Sequence, residues 1–476
     1  MGRIEGGKVG ENNFTVTVTK EEVVAAVLPL PEHWLRLSNL DLLLPPLDDG
    51  VFFCYNKPAA AGTVVVGALK KGLAEALVSF YALAGEVVAN SSGEPELLCN
   101  NRGVDFVEAD ADVQLRSLDL HNPDDSVEGK LVPTKKHGVL AIQATFLKCG
   151  GLVVACSFDH RIADAYSANM FLVSWAQLSQ STKPTISTLS SPPCFRRSLL
   201  NPRRPGRIHP SLDRMFIPVS DLPPPKKHSA ESESDPVISR IYYITADELN
   251  HIQSLANSDS NVDVNAVKRT KLESLCAFLW KMVAASTKGK RIITKMGIVV
   301  DGRRRLSNGN DKQKASLLCS YFGNVISIPY GEKSARELTE KSLSWVADEV
   351  HEFLEEAKTE EHFLGLIDWV EAHLPGGGVA RIYYGGGDGE EEGPAFVVSS
   401  GQTFPEEKVD FGWGRPVFGS YHFPWGGDAG YVMPMPSPAG KGDWVVYMHL
   451  RRGQLEKIES EAGRVFRRLT WDYLVH

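Results

Sequence analysis

Apolar and polar positions alternate through Phe14 to Val18, and Glu21 to Ala26 continues that opening segment, which predicts strand at the start of the chain. Leu42 to Tyr55 is apolar around Pro45-Pro46 and Asp48-Asp49-Gly50, a loop feeding a strand over Val51 to Tyr55. From Val65 to Tyr81 the apolar spacing turns helical until Ala84-Gly85 stops it, and 93–116 reads as short strands with turns. An apolar strand, Val139 to Phe146, follows, with a turn at Lys148-Cys149-Gly150-Gly151 and a second strand, Leu152 to Phe158. Asp159-His160-Arg161-Ile162-Ala163-Asp164 then leads into an apolar-periodic helix through Trp175, with Asp164 and Ser167 placed to cap it.

Between Lys183 and Pro236 the pattern collapses into prolines and serines, a composition that keeps neither a helix nor a sheet interior. Three parts follow: 1–182 as one domain, 183–236 as a crossover linker and 237–476 as a second domain. The second half restarts with a strand at Val237 to Ile244 and a helix capped by Thr245 and Glu248. A helix after Thr270 buries Leu272, Leu275, Leu279 and Met282, and Ile292 to Val300 is a strand ending at Asp301-Gly302-Arg303. Ser334 to Leu374 reads as amphipathic helix, Ala395 to Phe404 and Trp444 to Leu450 as strands, and Leu455 to Leu469 as a closing helix. The pattern therefore predicts two α/β domains.

At 476 residues, with 43% apolar and 23% charged residues, the chain suits two ordinary cores. A net charge of −8 argues against a nucleic-acid partner. The balance is locally reversed: Lys268, Arg269, Lys271, Lys281, Lys288, Lys290, Arg291, Lys295 and Arg303 to Arg305 face only Glu273 and Asp301, which suits a phosphorylated ligand as well as a solvated face. Seven cysteines with no Cys-x-x-Cys argue for a reducing compartment and against a zinc site, so no metal is expected. The N-terminus lacks a signal-peptide core, and the longest apolar region, 138–158, is too interrupted to span a bilayer. A cytoplasmic protein without membrane contact is the expectation. The glycine-rich acidic run, 376–393, has neither the Lys-Ser/Thr nor the setting of a phosphate loop.

His-x-x-x-Asp occurs three times, and context separates the copies. His121 with Asp125 and His209 with Asp213 lie in turn and proline-rich compositions and read as solvated loop histidines, whereas His160 with Asp164 stands between a strand and a helix, where a scaffold presents a side chain to a cleft. A second feature, Asp410-Phe411-Gly412-Trp413-Gly414, lies near the other end. The two motifs, with Leu37 to Asp41, Leu83-Ala84-Gly85, Asp301-Gly302-Arg303 and Tyr321-Phe322-Gly323-Asn324 in the same order, resemble the signatures of the plant BAHD acyltransferases over nearly the whole chain.

That resemblance implies two chloramphenicol-acetyltransferase-like α/β domains of mixed sheet plus helices with a channel at their interface, acyl-CoA as co-substrate, no permanent cofactor, and a monomer. It implies His160 as general base, and Asp164 paired with Arg303 in a structural role. Trp413 reads either as an indole donor to the oxyanion or as core filling in a turn, with Asp410, Gly412 and Gly414 shaping that turn. Lys268, Arg269, Lys271, Ser274 and Asp301 fall where members contact CoA. Cys156 alternates into the core, and Asp159 in place of a second histidine favours a free acyl-CoA donor. The acceptor pocket is expected at Asp41, Gly50, Phe52 and Thr403, and Thr403 where shikimate- and quinate-acylating members carry an arginine points to an uncharged acceptor. The chain looks similar to coniferyl alcohol acyltransferases, which makes a small phenolic alcohol the expected partner of the acyl-CoA. Shikimate, quinate or an amine as acceptor, and a non-catalytic binder of acyl-CoA or phenolics, stay open, as does the choice of acyl donor.

Overall fold

A computed structural model describes residues 14–91, 93–180, 189, 192–222, 235–258, 267–287, 292–307, 311–384 and 392–474, without the side chain of residue 392. Lys288, Lys290, Arg291, much of the proline-rich stretch and, of the acidic glycine-rich run, residues 385–391 lie outside them.

Two mixed sheets carry the fold. The first runs, in spatial order, Val16–Val24, Val104–Ala111, Leu140–Leu147, Leu152–Asp159, Asp48–Tyr55 and Phe418–His422. Only Val104–Ala111 and Leu140–Leu147 pair in parallel. Its middle strands are buried along almost their whole length, because layers cover both faces, and so they read as continuous apolar runs. On one face the helices Gly62–Ser79 and Ala165–Ser179 pack together, joined where the Trp175 indole donates to the Leu69 carbonyl at 2.9 Å. Gly72 permits their close approach: a Cβ there would stand 2.1 Å from the Ser179 hydroxyl.

The second sheet runs Tyr330–Ser334, Ile293–Ile298, Glu392–Val398, Gly430–Pro436, Trp444–Arg451, Val237–Ile244 and Arg467–Arg468. Helices Ala246–Ala256, Lys271–Ala285 and Leu343–Ala357 pack against one another beside it. Thr270 opens the second of these with a capping box, exchanging hydrogen bonds with Glu273. The two layers are not separated along the chain, since Phe418–His422, deep in the second half, pairs with Asp48–Tyr55 and completes the first sheet. Among the described residues no helix is long and apolar enough to cross a membrane, and no three His, Cys, Asp or Glu residues are grouped to hold a metal.

Several sequence expectations are corrected. The first core strand begins at Asp48, so Asp49 and Gly50 belong to the ladder rather than to a loop. The segment expected as strand to Phe404 leaves the sheet after Val398, and the closing helix ends at Ala462. His121 is buried rather than solvated, its Nδ1 2.9 Å from the Ile241 carbonyl of the second half.

Candidate active site

His160 follows the last residue of Leu152–Asp159, and its main chain is held from three sides. Its amide donates to the Leu47 carbonyl at 2.9 Å, and its carbonyl accepts from Asn324 Nδ2 at 2.9 Å. The residue before it, Asp159, receives the Arg161 amide at 3.0 Å and guanidinium at 2.6 Å, which closes the turn. The imidazole edges into the cavity with Phe423 as a ring neighbour, its Nδ1 buried and without a hydrogen-bond partner among the described residues. Asp49 Oδ2 lies 3.6 Å from Nε2.

Asp164 points away from the imidazole. Its carboxylate caps Ala165–Ser179 through the Ser167 amide at 2.9 Å, accepts the Val325 amide at 3.1 Å, and receives both Arg303 Nη atoms at 2.8 and 3.0 Å. Arg303 is 1% exposed and spends its remaining donor capacity on Asp301 at 3.0 Å, the Ser167 hydroxyl, and the Gly323 and Tyr321 carbonyls. Burial alone would raise the Asp164 pKa, but the Arg303 charge and hydrogen bonds hold it below the ordinary carboxylate value. At Asp301 burial wins over Arg303 and the pKa is raised. Asp164 and Arg303 come from opposite halves of the chain, so the pair bolts the His160 turn to the segment 301–325.

A cavity of about 790 Å³ opens around His160, lined by residues of both halves. Its aromatic wall is Tyr383, Tyr384, Tyr421, Phe423, Trp425 and Tyr431; its basic groups are Arg303, Arg304, Arg305 and Lys358; and Ser399, Ser400 and Thr403 supply hydroxyls.

The structure gathers some of the sequence candidates here and disperses others. His160, Asp164, Asp301, Arg303 and Thr403 line the cavity. Gly50 and Phe52 do not: side chains alternate along Asp48–Tyr55, so residue 49 faces the cavity while Phe52 is fully buried against Phe418. A Cβ at Gly50 would meet the His422 carbonyl at 2.8 Å, which leaves no room for an acceptor there. Asp41 is fully buried as well; it holds the Asn324 amide and side chain at 2.7 and 3.0 Å and the Ser38 hydroxyl at 2.7 Å, and so supports the residue that grips the His160 carbonyl.

The helix Lys271–Ala285 meets the cavity through Thr270, Leu272 and Glu273, not through Lys268, Arg269, Lys271 or Ser274. Arg269 is paired with Asp348 at 2.9 Å, and the Ser274 hydroxyl donates back to the Thr270 carbonyl at 2.8 Å, as helix-interior serines do. The cations that do reach the cavity, Arg304, Arg305 and Lys358, follow Asp301 or come from the end of the helix Leu343–Ala357.

Trp413 is remote from His160. It stacks on Phe411 with centroids 5.6 Å apart and meets Tyr55 edge-on at 6.1 Å. Tyr55 ends the strand whose second residue, Asp49, contacts His160, and six residues of strand span about 20 Å. Its indole N–H is buried without a partner among the described residues. Asp410 builds the turn by accepting the Gly412 and Gly414 amides at 2.8 and 3.0 Å, with both glycines at positive φ. The role of Trp413 as oxyanion donor is therefore corrected to packing at the far end of the sheet.

Comparison with known proteins fits this architecture. Vinorine synthase superposes with a TM-score of 0.68 at 20% identity, covering 97% of this chain and 100% of that one. The shikimate O-hydroxycinnamoyltransferase of Nicotiana tabacum is 26% identical over 96% of this chain and all of its own length, and the (Z)-3-hexen-1-ol acetyltransferase of Arabidopsis thaliana is 26% identical over 95% of each. Relatives of equal identity thus differ in both acyl group and acceptor, and overall similarity does not choose between them. A model described as the transferase family matches residues 14–464, and with it the two-sheet fold and the order of the motifs acquire a common origin: the chain belongs to the BAHD transferase family, the acyl-CoA-dependent acyltransferases, which take a CoA thioester as co-substrate and keep no permanent cofactor.

Proposed function

We propose that this protein moves an acyl group from acyl-CoA to the hydroxyl of an aromatic alcohol lacking a carboxylate, of the phenylpropenyl class exemplified by coniferyl alcohol. The observation that carries this reading is the composition of the cavity at His160: an aromatic wall, with the one fully buried arginine, Arg303, already spent on Asp164 and Asp301. A carboxylate-bearing acceptor would find no free, fully buried cation there among the described residues, and burying an unpaired charge is costly.

In the reaction His160 takes the acceptor's hydroxyl proton as the oxygen attacks the thioester carbonyl. The C–S bond breaks on collapse of the tetrahedral intermediate, and the imidazolium returns the proton to the CoA thiolate. With Trp413 distant, hydroxyls of the cavity wall, Ser399, Ser400 and Thr403 among them, are candidate donors to the developing oxyanion. Arg304, Arg305 and Lys358 suit the phosphates of CoA, with Asp301 beside them. Direct transfer needs no acyl-enzyme, and Cys156, fully buried with its thiol pushed up to about 12, is a core residue in this scheme. The protein acts as a cytoplasmic monomer of two acyltransferase domains, 1–182 and 237–476, joined by 183–236, with Phe418–His422 of the second lent to the sheet of the first.

A thiol-release assay tests the proposal, scanning acetyl-, benzoyl- and p-coumaroyl-CoA against coniferyl alcohol, shikimate, quinate and a polyamine, with His160→Ala beside the wild type. Turnover with coniferyl alcohol that disappears in the variant is the expected result. Turnover confined to shikimate or quinate refutes the acceptor reading, and silence with every pair points to a binding protein.

A further inference from the structure

The reaction just described leaves Asp49, a buried carboxylate of the cavity, unused. Asp49 is 7% exposed, lines the cavity, and has no hydrogen-bond donor on its side chain among the described residues; its only charged contact is His160, at 3.6 Å. The neighbouring charges do not compensate it. Asp159 is committed to Arg161 and Asp48 faces Lys135 at 3.2 Å, while Tyr421 gives its hydroxyl hydrogen to Asn169 at 2.9 Å. Around it stand the rings of Tyr383, Tyr421 and Tyr431, each of whose hydroxyl pKa is raised by burial and, after that, by the Asp49 charge.

A carboxylate so placed is satisfied by a ligand that brings a proton donor or a positive charge, and aromatic faces around it suit a cation further. A second anion held about 5 Å away, at the effective dielectric of protein sites, loses affinity by roughly a hundredfold. We propose that Asp49 sets acceptor specificity by charge: the chamber rejects aromatic acceptors whose end beside His160 is anionic, takes those that present a hydroxyl there, and holds an ammonium at that place more tightly still. The inference rests on the cavity being the acceptor site and deepens that reading by naming the residue that selects the acceptor.

Three probes differing only at the reacting end, cinnamyl alcohol, cinnamate and cinnamylamine, test it by calorimetric binding to the full-length protein saturated with CoA. The wild type at about pH 7.5 is expected to bind cinnamate at least about tenfold more weakly than the alcohol, and the amine more tightly. Asp49→Asn should bring cinnamate to within about threefold of the alcohol and abolish the amine's advantage, with CoA affinity unchanged as proof of folding. If that variant does not fold, the wild type alone decides. Discrimination against cinnamate should shrink as pH falls past about 6, where burial, opposed by His160 and reinforced by Asp48 and Asp159, has pushed the Asp49 pKa. Cinnamate itself stays ionised above about pH 5. His160 faces Asp49 in both proteins, so the difference between wild type and Asp49→Asn isolates the Asp49 part. An unchanged order in a folded Asp49→Asn, or discrimination in the wild type that ignores pH, overturns the proposal, as does failure of all three probes to bind. Cinnamyl alcohol that binds with the expected order but is never acylated refutes the proposed reaction and leaves the charge rule standing.

Discussion

Asp164→Asn separates a structural carboxylate from a catalytic one. The substitution keeps the size of the side chain and its cap on the Ser167 amide, but removes the charge facing Arg303, which is 1% exposed and whose guanidinium donates two of its six hydrogen bonds among the described residues to Asp164. Among the described residues the only other carboxylate on Arg303 is Asp301, whose side chain is 40% exposed. Breaking a buried pair by removing one partner costs about 3–5 kcal/mol, because the remaining charge is left in a poor solvent. The same change at Asp301, partly hydrated, should cost no more than about 1 kcal/mol. Urea unfolding of Asp164→Asn and Asp301→Asn against the wild type measures both.

The sign with pH is also fixed. The folded-state pKa of Asp164 is lowered, so its contribution is present above the ordinary carboxylate value of about 3.9 and is lost only as pH falls through the lower folded value. The gap between wild type and variant should therefore be flat from about pH 5 to 9. A variant as stable as the wild type, with CoA bound normally and turnover abolished, would show that Asp164 takes part in proton transfer and would refute the structural assignment.

Other perturbations test separate parts of the site. His160→Ala should lower kcat by about 10²–10⁴-fold while leaving the CoA Kd nearly unchanged. Trp413→Phe should keep kcat within about threefold and Trp413→Ala should cost about 1–3 kcal/mol of stability, the reverse of what an oxyanion donor requires. Arg305→Ala and Lys358→Ala should raise KM for acyl-CoA about tenfold with KM for the acceptor unmoved, whereas Lys268→Ala, exposed and off the cavity, should change neither. Steady-state kinetics with each substrate varied in turn distinguishes these outcomes.

Much of this architecture was legible in the chain because local signals and tertiary context agree. The central hairpin, the cap at Asp164 and the cap at Thr245 are short-range features whose physics is complete within a few residues. What sequence could not deliver were contacts made by the fold alone. Phe418–His422 is too short to announce which sheet it joins, and it joins the one formed by the other half of the chain. The indole of Trp413, flanked by glycines in a prominent motif, looks like a functional group until the length of Asp48–Tyr55 puts it at the opposite end of the sheet. The basic run misled for a similar reason: a helix presents one face, and Thr270, Leu272 and Glu273 occupy the face turned to the cavity while most of the cations nearby do not.

The error at residues 49–52 shows how a small misreading propagates to function. Reading Asp48-Asp49-Gly50 as a turn is reasonable by composition, yet it starts the strand three residues late, and the family resemblance set Gly50 and Phe52, not Asp49, at the acceptor. Ladder pairing of Asp48 with Asp159 and Gly50 with Ser157 makes the segment a strand, and strand period then allows no choice: if Phe52 is core, Asp49 is on the other face, beside His160. The alternation Asp49-Val51-Phe53 carried that signal, masked by turn-forming residues. A strand spanning both the core and the rim of a site can place a carboxylate at the base only where its last ladder pair lies next to the catalytic turn, and Asp48–Asp159 is that pair. On the proposed reading the acceptor's charge preference is a consequence of register: a one-residue slip in this strand would exchange Asp49 for Gly50 or Asp48 beside His160 and turn the buried side chains of Val51 to Tyr55 to the opposite face.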